Sequence, residues 1–517
     1  MRRVAYFCVV LYAGLLAWVA AAGAWPVLHQ FWTSDDAFFY LTIARNVARG
    51  LGSTFDGLSP TNGYQPLWLA ALAGVFRVTG PLSPEAGVRV AFGLAGVCAV
   101  AGTVIVTRLV ERVSAPPIVA VAAALGLLSS YGFWYFGLEA HLTVVMAGVL
   151  FTLVWRRWQS AVAHEPWSLP EALTLAVAAA LVVLTRVDLV VWVAVLLLTL
   201  SASRSLTGGS QRLTRRVSMI EQGVSAAIVV AYLAMNRAMF GAWFPISAAL
   251  RSKRPSLSWS ALSFYHWVDS VHLAVLVCAA AVMLTVAARA ASRTGRSALV
   301  GTRIGFGAAL AAGVLLHTAV AVLCSVSVEP RYLVMSSAAV VVIIAILAGE
   351  ALVTASPSVR TMSRAAVALG AACVALVLGS IALHRVAPPV APGDLVELAE
   401  FRAQIAPVLT RDTVVFVVDY AGELAWFCDC HLINGDGLVN DWDYQRFVAD
   451  RRVTDYLDAR RVSYVIETSG NQTGDVSWVE GYDWLSLGAE SFPIVGLPTA
   501  SAVVHVGQFR LFRYAAR

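Results

Sequence analysis

Lysine is all but missing from this chain: of 517 residues only Lys253 is lysine, and charged side chains of every kind make up 13%. An ordinary soluble domain carries about a quarter of its residues as charges, so a water-exposed globule is excluded. Cysteine is scarce as well. Five of the seven, Cys8, Cys98, Cys278, Cys324 and Cys373, fall in apolar segments, which leaves no disulfide framework and no zinc spacing. The remaining two, Cys428 and Cys430, flank Asp429 and suit a local disulfide, a metal contact or two structural thiols. Long basic tracts are also lacking. The net charge of +6 is spread as short arginine clusters between apolar runs, a pattern of membrane topology signals that argues against nucleic acid as a partner. What the chain has in abundance is apolar surface, with 59% hydrophobic residues and a mean hydropathy of +0.73. One core of this size could not hide it, so the lipid bilayer is the solvent.

A helix crossing the hydrocarbon needs about 20 apolar residues. Such runs lie near 4–24, 86–107, 115–132, 138–155, 168–185, 187–203, 217–236, 270–288, 304–324, 332–353 and 364–384. These eleven spans put every basic cluster on the cytoplasmic side, from Arg2/Arg3 through Arg108/Arg112, Arg156/Arg157, Arg204 to Arg216 and Arg289 to Arg303, ending at Arg360/Arg364. The start, Met1-Arg2-Arg3 and an apolar run, is similar to a signal peptide but reads as an uncleaved first anchor. Pro66 to Val78 is apolar yet too short to cross, and counting it as a span would invert every later cluster. It reads as an interfacial or re-entrant helix.

The expected fold is a polytopic α-helical membrane protein of about eleven transmembrane helices. Its membrane region is 1–385, with a first extracytoplasmic loop at 25–85 and a further outer loop near 237–268. A small soluble α/β domain follows at 386–517, also extracytoplasmic, where β-branched runs Thr413–Val418, Ser463–Ile466 and Ser501–Val506 alternate with charged helical stretches. The N-terminus is expected in the cytoplasm of a cell inner or plasma membrane.

The first loop holds the densest polar constellation of the first half. Ser34-Asp35-Asp36-Ala-Phe-Phe-Tyr40 is followed by Ala44-Arg45-Asn46, Thr54-Phe-Asp56-Gly57 and Pro60-Thr-Asn62-Gly-Tyr64-Gln65-Pro66. Ser34 or Asp35 would cap a helix running from about Asp36 to Arg49 and need no other role. Adjacent carboxylates also suit chemistry, one ionised to take a proton from a hydroxyl and the other to orient it or hold a cation. Further along, Glu139 and Asp188 stand at membrane edges, where a charge is costly unless it faces a cavity or a partner, and Arg186 is a ready partner for Asp188. Arg331 could snorkel to headgroups. In the last segment Asp419-Tyr-Ala-Gly-Glu423 and Asn434-Gly-Asp436-Gly-Leu-Val-Asn440-Asp441 suit loops at strand ends or a ligand surface. The latter does not match an EF-hand.

Asp35-Asp36-Ala-Phe-Phe-Tyr40, Ala44-Arg45-Asn46 and Asn62-Gly-Tyr-Gln-Pro-Leu-Trp68 resemble the first-loop signature of the GT-C superfamily of membrane glycosyltransferases. The pattern is similar to that of the protein mannosyltransferase and aminoarabinose transferase branch and of actinobacterial arabinofuranosyltransferases. The likeness continues at Gly137-Leu138-Glu139, Thr185-Arg186-Val187-Asp188, Pro245-Ile-Ser247 with Lys253, and Glu329-Pro-Arg331-Tyr332. The span count puts all four on the outer side with the first loop. The resemblance implies a transferase that takes a sugar from a polyprenyl-phosphate donor and places it on an extracytoplasmic glycan, lipid or protein acceptor. Asp35 would be the general base and Asp36 its assistant. Lys253, Arg251 and Arg331 would contact the lipid phosphate, and Arg45, Asn62, Tyr64, Gln65, Glu139, Arg186 and Asp188 would line the substrate pocket. Some relatives use a divalent cation and others none; Asp35 and Asp36 suit either case, and the sequence requires no cofactor.

The expected reaction is an inverting single displacement. A phosphate leaving group needs cations more than an acid, so one carboxylate suffices instead of the acid and base pair of glycosidases. The rival from another class is a lipid or solute transporter or flippase. It would distribute polar residues through the spans, whereas here they gather at the outer ends.

Overall fold

In lipid every backbone N–H and C=O must be satisfied within its own segment, so the apolar runs become helices. The computed structural model describes residues 2–23, 28, 35–114, 117–127, 135–163, 168–206, 211–252, 254–256, 267–295, 299–325, 328–354, 393–417, 420–467, 477–483, 488–494 and 502–514. Its helices are α1 Arg2–Ala22, α2 Asp36–Ala48, α3 Pro66–Thr79, α4 Pro84–Val113, α5 Pro117–Leu127, α6 Ala140–Ala163, α7 Leu169–Thr185, α8 Val190–Leu206, α9 Gln211–Phe240, α10 Ile246–Arg251, α11 Trp267–Thr294, α12 Arg303–Cys324 and α13 Val334–Thr354. Then come α14 Gly393–Ile405, β1 Val414–Val417, α15 Ala421–Phe427, β2 His431–Asn434, α16 Trp442–Ala449, α17 Val453–Ala459 and β3 Tyr464–Glu467. The chain closes with β4 Ser477–Asp483, β5 Gly488–Ile494, β6 Ala502–Val506 and β7 Phe509–Arg513.

Ten of the eleven expected spans coincide with a helix; the eleventh, near 364–384, lies outside the described residues. Seven helical segments among the described residues are long and apolar enough to cross a membrane, and the chain is a multi-pass membrane protein. The pair α7 and α8 is shorter, at 17 residues each. Between them Arg186 is extended and buried, and Val187–Leu189 forms a 3-10 turn that leaves Asp188 exposed, so the two helices do not continue as one.

Internal contacts divide the chain into two compact units. The first comprises Met1–Gly23, Gly93–Tyr232 and Ser256–Val386. Its core is aliphatic with a few large rings, among them Phe151 against Trp192 at 5.8 Å and Trp155 against Phe306 at 5.1 Å. The second comprises Ala24–Phe92, Leu233–Pro255 and Ala387–Arg517, so the first loop packs with the C-terminal residues.

In the second unit a five-stranded sheet runs in the order β2-β1-β3-β7-β6, with β1 parallel to both β2 and β3 and β7 antiparallel to β3 and β6. Parallel neighbours require crossovers, which α15 supplies between β1 and β2 and α16 and α17 between β2 and β3. Each of the three β-branched runs singled out in the sequence contributes a strand to this sheet, as β1, β3 and β6. Phe416, Ile433, Val465 and Phe512 from four strands meet Tyr444, Val448, Tyr456 and Leu457 of the crossover helices in one core. The short apolar segment is the helix α3, with Trp68, Leu69, Leu72, Ala73 and Phe76 buried. Phe76 stacks on Trp426 of α15 at 5.9 Å, which explains how a segment too short to cross the bilayer buries its apolar face.

Candidate functional site

Within the second unit, Asp35 stands at the start of α2, a helix whose residues Ala37 to Ala44 are all buried. The expected cap is corrected here: the Asp35 carboxylate makes no bond to its own helix, and Ser34 lies outside the described residues. Instead, Asp35 Oδ2 accepts the backbone N–H of Gly422 and Oδ1 that of Glu423, both at 2.8 Å. These are first-turn amides of α15, which have no partner inside that helix. The chain enters α15 through Tyr420, whose φ of 58° lies in the left-handed region rarely taken by a bulky residue. The other end of α15 is held by the same segment of sequence. Arg45, ten positions on from Asp35, donates to the carbonyls of Trp426 at 2.8 Å and Ala425 at 3.2 Å and lies over the Trp426 ring at 4.5 Å.

Burial pushes the Asp35 carboxyl up to about 8; the amides of Glu423 and Gly422 oppose the rise, and the neighbouring charges of Asp36 and Glu423 add to it. Glu423 is itself paired with Arg402 at 3.2 Å, and the Arg402 guanidinium lies 3.5 Å from the centre of the Phe427 ring. Asp36 is half-buried in the first turn of α2.

The other first-loop residues expected in a pocket serve as ties within this unit. Asn62 is fully buried: its Oδ1 accepts from Ile246 N at 3.1 Å and Trp442 Nε1 at 3.2 Å, and its Nδ2 donates to Phe244 O at 3.3 Å. Tyr64 accepts from Ser53 at 2.7 Å, and the Gln65 N–H donates to the Tyr40 hydroxyl at 3.1 Å. Asp56 closes a turn on the N–H groups of Leu58 and Ser59, and Asn440 and Asp441 order the loop after β2, Asp441 capping α16 and pairing with Arg460. Arg251 ends α10, and Lys253 lies outside the described residues.

The first unit has its own polar centre. Arg186 Nη1 meets Glu139 Oε1 at 2.6 Å, and the same guanidinium contacts Asp188 at 3.2 Å and lies over the Tyr332 ring at 4.4 Å. His317, buried in the middle of α12, joins through Asp188 Oδ2 at 3.2 Å and leads on to Ser336 at 3.5 Å, which accepts from the Trp192 indole. Arg331 pairs with Glu329 at 2.6 Å. The sequence stations at 139, 186 and 188 are thus one network, as the cost of burying a lone charge demands. His317 escaped the sequence reading; its only signal was an ionisable residue within an apolar run.

Cys428 and Cys430 form a disulfide directly after α15, which settles the three alternatives left open by their spacing. Among the described residues no three His, Cys, Asp or Glu side chains are grouped so as to hold a metal ion.

No protein-family model and no curated protein matches the chain. Solved structures do. An archaeal oligosaccharyltransferase, AglB from Archaeoglobus fulgidus, solved with an inhibitory peptide and a dolichol-phosphate, aligns over 89% of this chain and 69% of its own, with a TM-score of 0.55 and 11% identity. ArnT from Cupriavidus metallidurans, in its apo state, aligns over 93% of both chains, with a TM-score of 0.51 and 14% identity. The chain has a GT-C fold. At such identities the likeness speaks for the GT-C architecture alone, and function must be argued from the site.

Proposed function

We propose that this GT-C chain is a membrane glycosyltransferase that moves a sugar from a polyprenyl-phosphate donor to an extracytoplasmic acceptor hydroxyl. The observation that carries the reading is Asp35: an acid opening the first-loop helix of a GT-C fold, partly open to solvent, with its carboxyl raised to about 8. A carboxylate of that basicity is matched to abstracting a hydroxyl proton near neutral pH. In the proposed step the ionised Asp35 takes the proton, the acceptor oxygen bonds to the anomeric carbon, and the anomeric carbon–oxygen bond breaks with its electron pair leaving on the polyprenyl phosphate. Configuration inverts. Arg251 and Lys253 are proposed to steady the departing phosphate. The dolichol-phosphate bound to AglB supports a lipid phosphate of this kind. The first loop and residues 386–517 are proposed to face the outer side.

The test offers purified protein, in detergent and in liposomes, a panel of polyprenyl-phosphate sugars beside Asp35→Asn. Consumption of one donor by the wild type, lost in a folded Asp35→Asn that still binds lipid, is the expected result and names the sugar. A folded wild type that consumes none and instead moves lipid or solute across the bilayer establishes the transporter.

A further inference from the structure

The Asp35 carboxylate is gripped from a distant part of the sequence. Each of its oxygens accepts one backbone amide, from Gly422 and Glu423, across 387 and 388 positions of chain. A carboxylate oxygen offers two lone pairs, so each keeps one for a further donor, and Asp35 is only half-buried. The grip therefore fixes the plane of the carboxylate without filling it. Gly422 makes the close approach geometrically feasible. A Cβ there would collide with the Asp35 carbonyl oxygen and sit 2.9 Å from both carboxylate oxygens. Its φ is not positive, so the backbone itself does not demand glycine, and alanine is the better helix former. The three atoms nearest to where a side chain would begin at this position all belong to Asp35. The loop feeding α15 leaves the carboxyl end of β1, a central parallel strand, where open α/β sheets commonly present their functional groups.

We infer that Gly422 and Glu423 are positioning residues for the base: their amides aim the Asp35 carboxylate at the acceptor hydroxyl, so that the crossover after β1 completes the catalytic centre begun in the first loop. This rests on Asp35 being the base. Among the described residues, the charged groups that raise the Asp35 carboxyl are Asp36 on its own helix and Glu423 on α15, the latter paired with Arg402 of α14. With those unchanged, losing the amide donors leaves burial and the acidic neighbours in control, which drives the carboxyl upward.

The experiment compares wild type, Gly422→Ala, Gly74→Ala and Asp35→Asn. Gly74 lies on the exposed side of α3 with nothing within 4 Å of an added Cβ, so its variant should match the wild type. Gly422→Ala is expected to lower kcat at pH 7 at least tenfold, with an alkaline shift of about one unit in the pH midpoint of turnover. Turnover in Gly422→Ala equal to or above the wild type, with an unmoved midpoint, overturns the positioning role while leaving Asp35 as the base. Equal turnover in Asp35→Asn overturns the base, and the positioning role with it. Hydrogen exchange of the 420–427 segment reads the contact independently of catalysis and of whether Gly422→Ala folds. Asp35→Asn presents an NH2 group to one of the two amides, so exchange there should quicken, and unchanged exchange overturns the inference.

Discussion

Asn62→Ala tests whether the first-loop signature binds substrate or holds the fold. The side chain is fully buried and serves three groups from two other segments: the Ile246 N–H, the Trp442 indole N–H and the Phe244 carbonyl. Truncation removes every one of these bonds at once. An unsatisfied buried polar group costs about 1–3 kcal/mol, and water entering the small void recovers part of that, so a loss of about 3–4 kcal/mol is expected. For a cooperative unit of about 150–250 residues each kcal/mol moves the melting temperature by about 2–4 °C, which places the variant roughly 10 °C below the wild type. Asn62→Asp should fare little better, because a carboxylate would keep both N–H donors but face the Phe244 carbonyl with no proton to give. The assay is thermal unfolding in detergent, followed by tryptophan fluorescence, with limited proteolysis as a second probe. A melting point within about 2 °C of the wild type, with donor turnover abolished, would falsify the structural account and return Asn62 to the substrate pocket.

Turnover should rise with pH through a midpoint near 8, because the base works only when ionised and burial raises its carboxyl to about that value; a profile flat from pH 6 to 9 refutes Asp35 as the titrating group. Arg186→Met leaves Glu139 buried without its cation and should destabilise the protein by about 3–5 kcal/mol, while adding Glu139→Gln restores much of the loss. Chemical denaturation in detergent of the two variants checks this, and equal stability of the single and double variants rules the pairing out. Gly63→Ala pushes a methyl group into the Leu438 carbonyl and should lower the yield of folded protein, which size-exclusion profiles would report.

The apolar helices and the strands β1, β3 and β6 were legible because local composition sets local hydrogen bonding and solvent preference, whereas β2, β4, β5 and β7 were not singled out. Runs of about 20 apolar residues must be helical in lipid, and β-branched alternation suits a half-buried strand. The network at Glu139, Arg186 and Asp188 was half legible, since charges at membrane edges advertise a need for partners. His317 was not, because one histidine in an apolar run does not say which way it faces.

The sequence by itself determined a membrane chain, the positions of its apolar helices as far as residue 354 and an acidic helix start in the first loop. Only the tertiary structure decided what that acid touches. Asp35 meets the amides of Gly422 and Glu423, and Asn62 meets Phe244, Ile246 and Trp442, through bonds made largely to backbone groups. A peptide N–H is the same at every non-proline position, so no side-chain pattern marks which one a distant carboxylate will find; packing of the β1 crossover against α2 makes that choice.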